Sequence, residues 1–475
     1  MFRKIINPIL FLQLVMCLTF QKSLISKQNN YIDKVLEDKG DNIFIDYSEI
    51  EKIIINNQEL KSFQELVTSS SFNLSSKISQ RYPSLDLQAS GLPKYVSGKN
   101  HNSNLTTTKT SQFSANPSLS IRWDLIDPLR GSDIKIAREN FKIAKNNLEI
   151  KRKDLIREAR SRYHKYQKSH QDIENKKYSL ELSKTSLINA QSKLDTGIGT
   201  KFEVLEADAQ LSRDQQLLNE KKIEHLINKI SLKEILNIKE DIEIKKQQKI
   251  SGYWNYKLNK NITDGLEQNL SLKNISLQAD LKKSQARSYL DANKPNVYIS
   301  NTLTSAFTKG DVSAITIDSE EYGSSYTNTI SLNFSWKIFN GGQNKNSYKS
   351  SQAEAKAEEY GYNNLKNILK TNINNAYLNL KLNEEKILSS LKDISSTTES
   401  LRLSRLRYDV GISTLKDVLT RQKELSNAQS QKINAIYNYN LNLDELERLT
   451  FLQISNNCID SNTIIKRESI CNIPK

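Results

Sequence analysis

Ile330-Ser331-Leu332-Asn333-Phe334-Ser335-Trp336-Lys337-Ile338 alternates without a break. Ile330, Leu332, Phe334, Trp336 and Ile338 fall on one side of an extended chain, and Ser331, Asn333, Ser335 and Lys337 on the other, because successive strand side chains point to opposite faces. Residues 118–125 do the same, with Leu119, Ile121, Trp123 and Leu125 opposite Ser118, Ser120, Arg122 and Asp124. Residues 84–90 set Leu85, Leu87 and Ala89 against Ser84, Asp86, Gln88 and Ser90, and 297–303 is a weaker fourth match. Such alternation suits a strand laid on a soluble core as well as one facing lipid. Trp123 and Trp336 sit toward the helix-side ends of their strands, where a membrane interface favours indole, and strands of roughly 9–10 residues suit a tilted membrane crossing. Long polar stretches, 92–116 and 306–328, separate the strands of each pair and are predicted to be loops.

Four strands do not close a barrel. Open edges are intolerable in hydrocarbon, where every backbone group must be paired, and the smallest common closed barrels need about eight strands. Several chains must therefore share one barrel, and three chains would supply 12 strands.

Working outward, the chain is written twice. Pro83 in Tyr82-Pro83-Ser84-Leu85 is echoed by Pro295 in Lys294-Pro295-Asn296-Val297, an offset of 212. Trp123 is echoed by Trp336 at 213, and Gly197-Ile198-Gly199-Thr200 by Gly411-Ile412-Ser413-Thr414 at 214. Each copy is predicted to run helix, strand, loop, strand, very long helix, tight turn, returning helix. In the first copy these lie near 48–80, 84–91, 118–125, 132–194 and 201–236; in the second near 263–292, 297–305, 329–338, 343–408 and 414–449. The boundaries that follow are a signal peptide at 1–25, an irregular segment at 26–46, a first repeat at 47–236, a linker or equatorial segment at 237–261, a second repeat at 262–450 and a tail at 451–475.

The long helices carry a seven-residue stripe: Ala159, Tyr166, Ile173, Leu180, Leu187, Leu194, and then Ile373, Leu380, Ile387, Ile394, Leu401, Tyr408. Leu155 and Leu369 stand four residues ahead, so the phase steps at the same place in both. A sustained stripe of this kind marks a coiled-coil seam, locally unwound by an inserted four. The short turns force each returning helix to pack antiparallel, with Gly197 and Gly411 suited to positive φ and Thr200 and Thr414 to capping.

Composition agrees with few, long elements: 475 residues hold only 14 Gly and 7 Pro. The formal charge of +15 comes from basic residues that do not gather with aromatics into one patch, so nucleic acid is not an expected partner. Arg3 and Lys4 precede an apolar stretch, 5–20, interrupted by Asn7, Pro8 and Gln13, which reads as an export signal. Met16 before Cys17 is the wrong size for a lipoprotein signal. Cys458 and Cys471 near the end either form one disulfide or stay as two thiols. No later segment reaches about 18 consecutive apolar residues, so no transmembrane helix is expected.

Taken together, these pieces resemble the TolC-like outer-membrane efflux family over nearly all of the mature length. Asn57-Gln58-Glu59-Leu60 is similar to the Asn-x-Glu-Leu piece of its first helix. Leu332–Gly342 is similar to its second-repeat strand and Gly-Gly turn, and Tyr408-Asp409-Val410-Gly411 with Asp417-Val418-Leu419 to its turn and return helix. The resemblance implies an α+β fold: a trimeric 12-stranded outer-membrane β-barrel with four strands per chain, continued by a long antiparallel coiled-coil α-helical barrel with an internal two-fold repeat. It implies a homotrimer in outer-membrane lipid, reaching into the periplasm to a periplasmic adaptor protein and an inner-membrane transporter, serving efflux or type I secretion. It places a gate at Asp417, Tyr408 and Glu203, and adaptor-contact tips at Thr196, Gly197, Ile198, Val410, Gly411 and Ile412. Ser413 stands where some members carry a gating Arg, and Thr420 where some carry a second acidic residue. No enzyme is expected. His101, His164, His170 and His225 lack metal-ligand spacing and are predicted to be surface residues, and no metal or other cofactor is expected. The rival is an exported coiled-coil scaffold without a channel.

Overall fold

Strands form where alternation and Thr, Ser and aromatic content favour them. Helices form where Ala, Leu, Lys, Glu and Gln run unbroken by Pro. The computed structural model describes residues 42–101, 107–244, 249–313 and 321–455. The expected signal peptide, most of the segment at 26–46, and Cys458 and Cys471 lie outside the described residues. In chain order the elements are β1 (Asn42–Ile45), α1 (Ile50–Ile53), α2 (Gln58–Ser79), β2 (Ser84–His101), β3 (Thr107–Ile126), α3 (Pro128–Asp195), α4 (Lys201–Leu236), β4 (Asp241–Ile244), α5 (Leu258–Gln268), α6 (Leu270–Asp291), β5 (Asn296–Ser313), β6 (Glu321–Ser335), α7 (Gln343–Asp409) and α8 (Leu415–Thr450). Among the described residues no helix is long and apolar enough to cross a membrane.

The chain divides into two compact units. The first described here comprises 64–147 and 271–364. Its centre is one antiparallel sheet in the order β2-β3-β5-β6. The register gathers the apolar side chains on one face: Leu85 opposes Ile121, Leu87 opposes Leu119, Trp123 opposes Ile299 and Ile299 opposes Leu332. That face is bare, with Leu87 75% and Leu332 71% exposed. On the other face Ser300 and Ser331 share a hydrogen bond of 2.8 Å, and Asn333 Nδ2 donates to both hydroxyls. Trp123 Nε1 donates to the carbonyl of Arg81 and Trp336 Nε1 to that of Asn293, so the same anchor recurs 212–213 residues on.

Both hairpins run well past the expected strand ends. β2 pairs with β3 as far as His101 and Thr107, and β5 with β6 as far as Gly310 and Glu321, so most of 92–116 and 306–328 is strand and not loop. The polar stretches lack strict alternation because apolar residues are sparse in them, Tyr95, Phe113 and Tyr322 being among the few. Thr-rich backbone still pairs. At the helix end, β6 stops at Ser335, short of the predicted 338.

The second unit holds the described residues within 42–63, 148–270 and 365–455. The seven-residue stripe is its seam: Ala159, Tyr166, Ile173, Leu180, Ile373, Leu380, Ile387, Leu401 and Tyr408 are all buried, as are Leu155 and Leu369. The first predicted helix is interrupted at Asn57. Its side-chain oxygen accepts the Glu59 N–H at 2.9 Å and its Nδ2 donates to the carbonyl of Ile235 at 2.8 Å, so this residue caps α2 and ties it to the end of α4. Leu60 follows, buried. The segment expected to be irregular up to 46 includes β1, which pairs in parallel with β4 and covers a core of Ile45, Ile50, Ile54, Tyr163, Leu232 and Ile242.

Two histidines expected at the surface are packed into the helical unit, His164 fully and His225 in part. His164 is 2% exposed, its Nε2 3.3 Å from Asp444 Oδ2 and 3.4 Å from Ser251 Oγ. Tyr47 donates to the other oxygen of Asp444, and Arg160 pairs with Glu447. His225 stacks on Tyr166 with ring centroids 4.6 Å apart, its Nδ1 2.9 Å from Ser169 Oγ. A neutral imidazole is flat and packs like an aromatic ring, which is why a seam of closely packed helices accepts it.

Burial first, then the nearby His170 and Lys229, lower the His225 imidazole from its ordinary 6.5 to about 4. The unfolded chain therefore takes up this proton more readily than the folded one. The stabilisation from a neutral His225 is complete above pH 6.5 and is lost as the pH falls from 6.5 toward 4. Across that window the apparent melting temperature of the detergent-solubilised protein is expected to fall more steeply than that of His225→Phe. Parallel curves for the two proteins would exclude the effect.

Candidate functional site

The two tight turns of the helical unit have one construction. Gly197 adopts φ +79° and Gly411 φ +78°, the left-handed region where a side chain is disfavoured. In the first turn the N–H groups of Ile198 and Gly199 both donate to the carbonyl of Lys193, at 3.0 and 2.9 Å. In the second, Ile412 and Ser413 donate to the carbonyl of Arg407, at 2.8 and 3.2 Å. The returning helices open on matching capping boxes. Thr200 Oγ1 accepts from Glu203 N and Glu203 Oε2 from Thr200 N; Thr414 Oγ1 accepts from Asp417 N and Asp417 Oδ2 from Thr414 N.

Below the turns Leu182, Ala190, Ala207, Leu401, Tyr408, Leu415, Val418 and Leu425 form one apolar cluster drawn from α3, α4, α7 and α8. Above it the apex is bare: Ile198 is 77% exposed, Val410 and Ile412 each 70%. Thr196 bonds back into its own helix through the carbonyls of Ser192 and Lys193. Phe202, in the first turn of α4, is also exposed and belongs to this apolar apex, although the sequence pattern did not single it out.

The three expected gate residues have distinct surroundings. Tyr408 is buried, and its hydroxyl has no hydrogen-bond partner among the described residues. Burial pushes that hydroxyl up to about 12, helped by the nearby carboxylates of Glu203 and Asp409, so it stays a neutral phenol. Lys193 Nζ lies 3.6 Å from the Tyr408 ring centroid and donates to the Tyr408 carbonyl. Asp417 is exposed. The Thr414 N–H and the hydroxyls of Thr414 and Ser413 converge on its Oδ2 and hold the carboxyl below its usual range. Ser413 thus donates to this carboxylate from the position where an Arg was the alternative. Thr420 turns its hydroxyl to the carbonyl of Lys416 in its own helix. Glu203 and Tyr408 are brought close. Asp417 is engaged with its own cap. Lys193 was not expected at the site, since one lysine on a lysine-rich helix gives no signal. Among the described residues no group of three or more His, Cys, Asp or Glu is placed to hold a metal.

Residues 50–237 and 262–450 match the model of the outer membrane efflux protein family, and the chain belongs to that family. It is an outer-membrane protein that extends into the periplasm. The outer membrane protein TolC of Escherichia coli (strain K12) is 27% identical over 183 residues, covering 37% of this chain and 36% of TolC. In that alignment the chain spans about a third of the length of the curated relative. CusC, whose crystal structures concern folding and transmembrane channel formation, superposes with a TM-score of 0.72 at 15% identity over 87% of this chain and 94% of its own. The Campylobacter jejuni CmeC outer membrane channel superposes with a TM-score of 0.71 at 16% identity, over 85% of each chain. At these identities the structural likeness is one of fold.

The turn geometry makes a direct demand on residue 411. A β-branched side chain at φ +78° is expected to cost about 1–2 kcal/mol, whereas Asn tolerates that region. Gly411→Val should therefore lower the apparent melting temperature of the helical unit and Gly411→Asn should leave it nearly unchanged. Equal melting of the two variants would mean the turn does not depend on the left-handed residue.

Proposed function

We propose that the protein is the outer-membrane channel of a tripartite efflux or type I secretion system, passing substrates from the periplasm to the exterior. Three copies close one 12-stranded barrel, four strands from each, and their helices form the antiparallel coiled-coil tunnel that leads to it. The two halves of each chain, 47–236 and 262–450, act as the repeats of this assembly around the linker at 237–261. A periplasmic adaptor protein docks at Thr196, Gly197, Ile198, Val410, Gly411 and Ile412, and an inner-membrane transporter supplies the energy. The chain has no catalytic task.

The observation that carries this is the sheet: an apolar face left bare, with β2 and β6 at its edges unpaired on their outer sides among the described residues. On β3 the outward row runs Trp123, Ile121, Leu119, Pro117, Ala115, Phe113. That is about 33 Å of strand at ~3.3 Å per residue, or roughly 25 Å of height at a 40° tilt, the span of an outer-membrane apolar band. Trp123 stands at one rim. Tyr95, Phe113, Lys309 and Tyr322 align across the four strands at the other, with the Tyr95 and Phe113 rings 4.8 Å apart. Aromatic girdles at both interfaces suit this placement.

At the turns, Tyr408 with Glu203 forms the closed end of the tunnel, and a ring of three Asp417 carboxylates faces the permeating ion. Such a ring attracts cations and slows anions. The bare apolar apex of Ile198, Val410 and Ile412 suits contact with another protein, since water gains nothing from it.

The native mass of detergent-extracted protein is expected to equal three chains without their signal peptides. A species that stays soluble as one or two chains without detergent would replace the channel with the coiled-coil scaffold. In planar bilayers, Asp417→Asn is expected to lose cation preference and divalent block while keeping the turn, because Asn still presents an acceptor to Thr414. If its selectivity matches wild type, Asp417 is a helix cap and nothing more.

A further inference from the structure

We infer that Lys193 is a positioning residue that ties the two turns of one chain together and so holds the end of the tunnel closed; this rests on the channel proposed above. Lys193 is the hub of the first turn, its carbonyl receiving the N–H groups of Ile198 and Gly199. Its side chain leaves that turn and crosses to the second. The ammonium lies 3.6 Å from the Tyr408 ring centroid and also donates to the Tyr408 carbonyl, which accepts the Gly411 N–H at 3.1 Å as well. One cation thus bonds a terminal carbonyl of α7 and covers the ring of the same residue. Both contacts are favourable, because a helix C-terminus carries partial negative charge and an aromatic face attracts cations.

Tyr408 has little else that is directional. Its hydroxyl has no partner among the described residues, so its position is fixed by packing and by Lys193. The surrounding contacts with Leu182, Ala190, Leu415 and Val418 are apolar and permit the helix ends to slide past one another. The ammonium–carbonyl bond does not. Among the described residues the other half of the chain shows no counterpart to this link. Arg407 occupies the equivalent position and its carbonyl is likewise the hub of its turn, but its side chain remains exposed. The clamp therefore occurs once per chain and runs from the first turn to the second.

Three variants of the full chain separate the clamp from simple loss of charge. Lys193→Met keeps the stem and loses the ammonium. Lys193→Arg restores a cation able to make both contacts. Lys201→Gln removes a positive charge at an exposed position in the adjacent first turn of α4. In planar bilayers with potassium chloride, Lys193→Met is expected to raise the resting conductance several-fold, with Lys193→Arg and Lys201→Gln close to wild type. Amide exchange across 193–199 and 407–413 should quicken together in Lys193→Met, by up to about tenfold, while exchange in β5 and β6 stays constant. Wild-type conductance and wild-type exchange in Lys193→Met would overturn the clamp and leave the channel standing. If wild type passes no current, the channel and the closure fall together, and the exchange contrast still decides whether Lys193 ties the turns.

Discussion

Everything in this molecule turns on an obligation of the peptide backbone: an N–H or C=O buried away from water must find a partner. The sheet β2-β3-β5-β6 satisfies that rule internally and breaks it at both edges. In water the breach is harmless. The same sheet, however, turns Leu85, Leu87, Ile330 and Leu332 outward, and a medium that welcomes those side chains offers no hydrogen bonds. Each unpaired edge group then costs several kcal/mol. In such a medium the apolar side chains and the open edges are compatible only if the edges meet other strands; the opposite face already carries its own polar row of Ser300, Ser331 and Asn333.

The helices carry a related deficit. α3 alone has 68 residues, a length of about 100 Å at ~1.5 Å per residue, and a helix of that length is stable only with neighbours along it. The seam through Ile173, Leu180, Ile373 and Leu380 accounts for one face. A second set remains bare: Ile223, Ile227 and Ile230 on α4, spaced four and then three apart on one helical face, and Leu378, Leu382 and Leu403 on α7. Stripes of this kind are stable in water only when something covers them.

Which features were legible in the sequence follows from how each is encoded. The seven-residue stripe, the strand alternation and the Gly and Thr of the turns are local signals, and residues such as Asn57 and Trp123 lie in them. The pairing of β1 with β4 joins two four-residue strands about 200 positions apart, too short and too distant to leave a pattern. The outer reaches of the hairpins read as loops because Ser, Thr, Asn and Gly dominate them and the scattered aromatics, Tyr95, Phe113 and Tyr322, do not make a continuous alternation. His164 is buried by Asp444, Ser251 and Tyr47, which come from three separate parts of the chain. Lys193 is decided by where its ammonium ends, not by the helix it starts from.

The two turns also show how one construction can serve different ends. Both use a left-handed Gly, a carbonyl hub and a capping box, so their backbones are interchangeable. Their differences are confined to side chains: the Glu203 carboxylate lies near a buried phenol without bonding it, and Asp417 accepts from the hydroxyls of Thr414 and Ser413. Three donors on a single oxygen fix the Asp417 carboxylate in place without neutralising it, because none of them carries charge. A carboxylate left free would find its ion by swinging toward it, and one balanced by Arg would present no net field. Held by neutral donors, Asp417 keeps both its position and its charge, which is the combination a ring of fixed charge around a narrow opening requires.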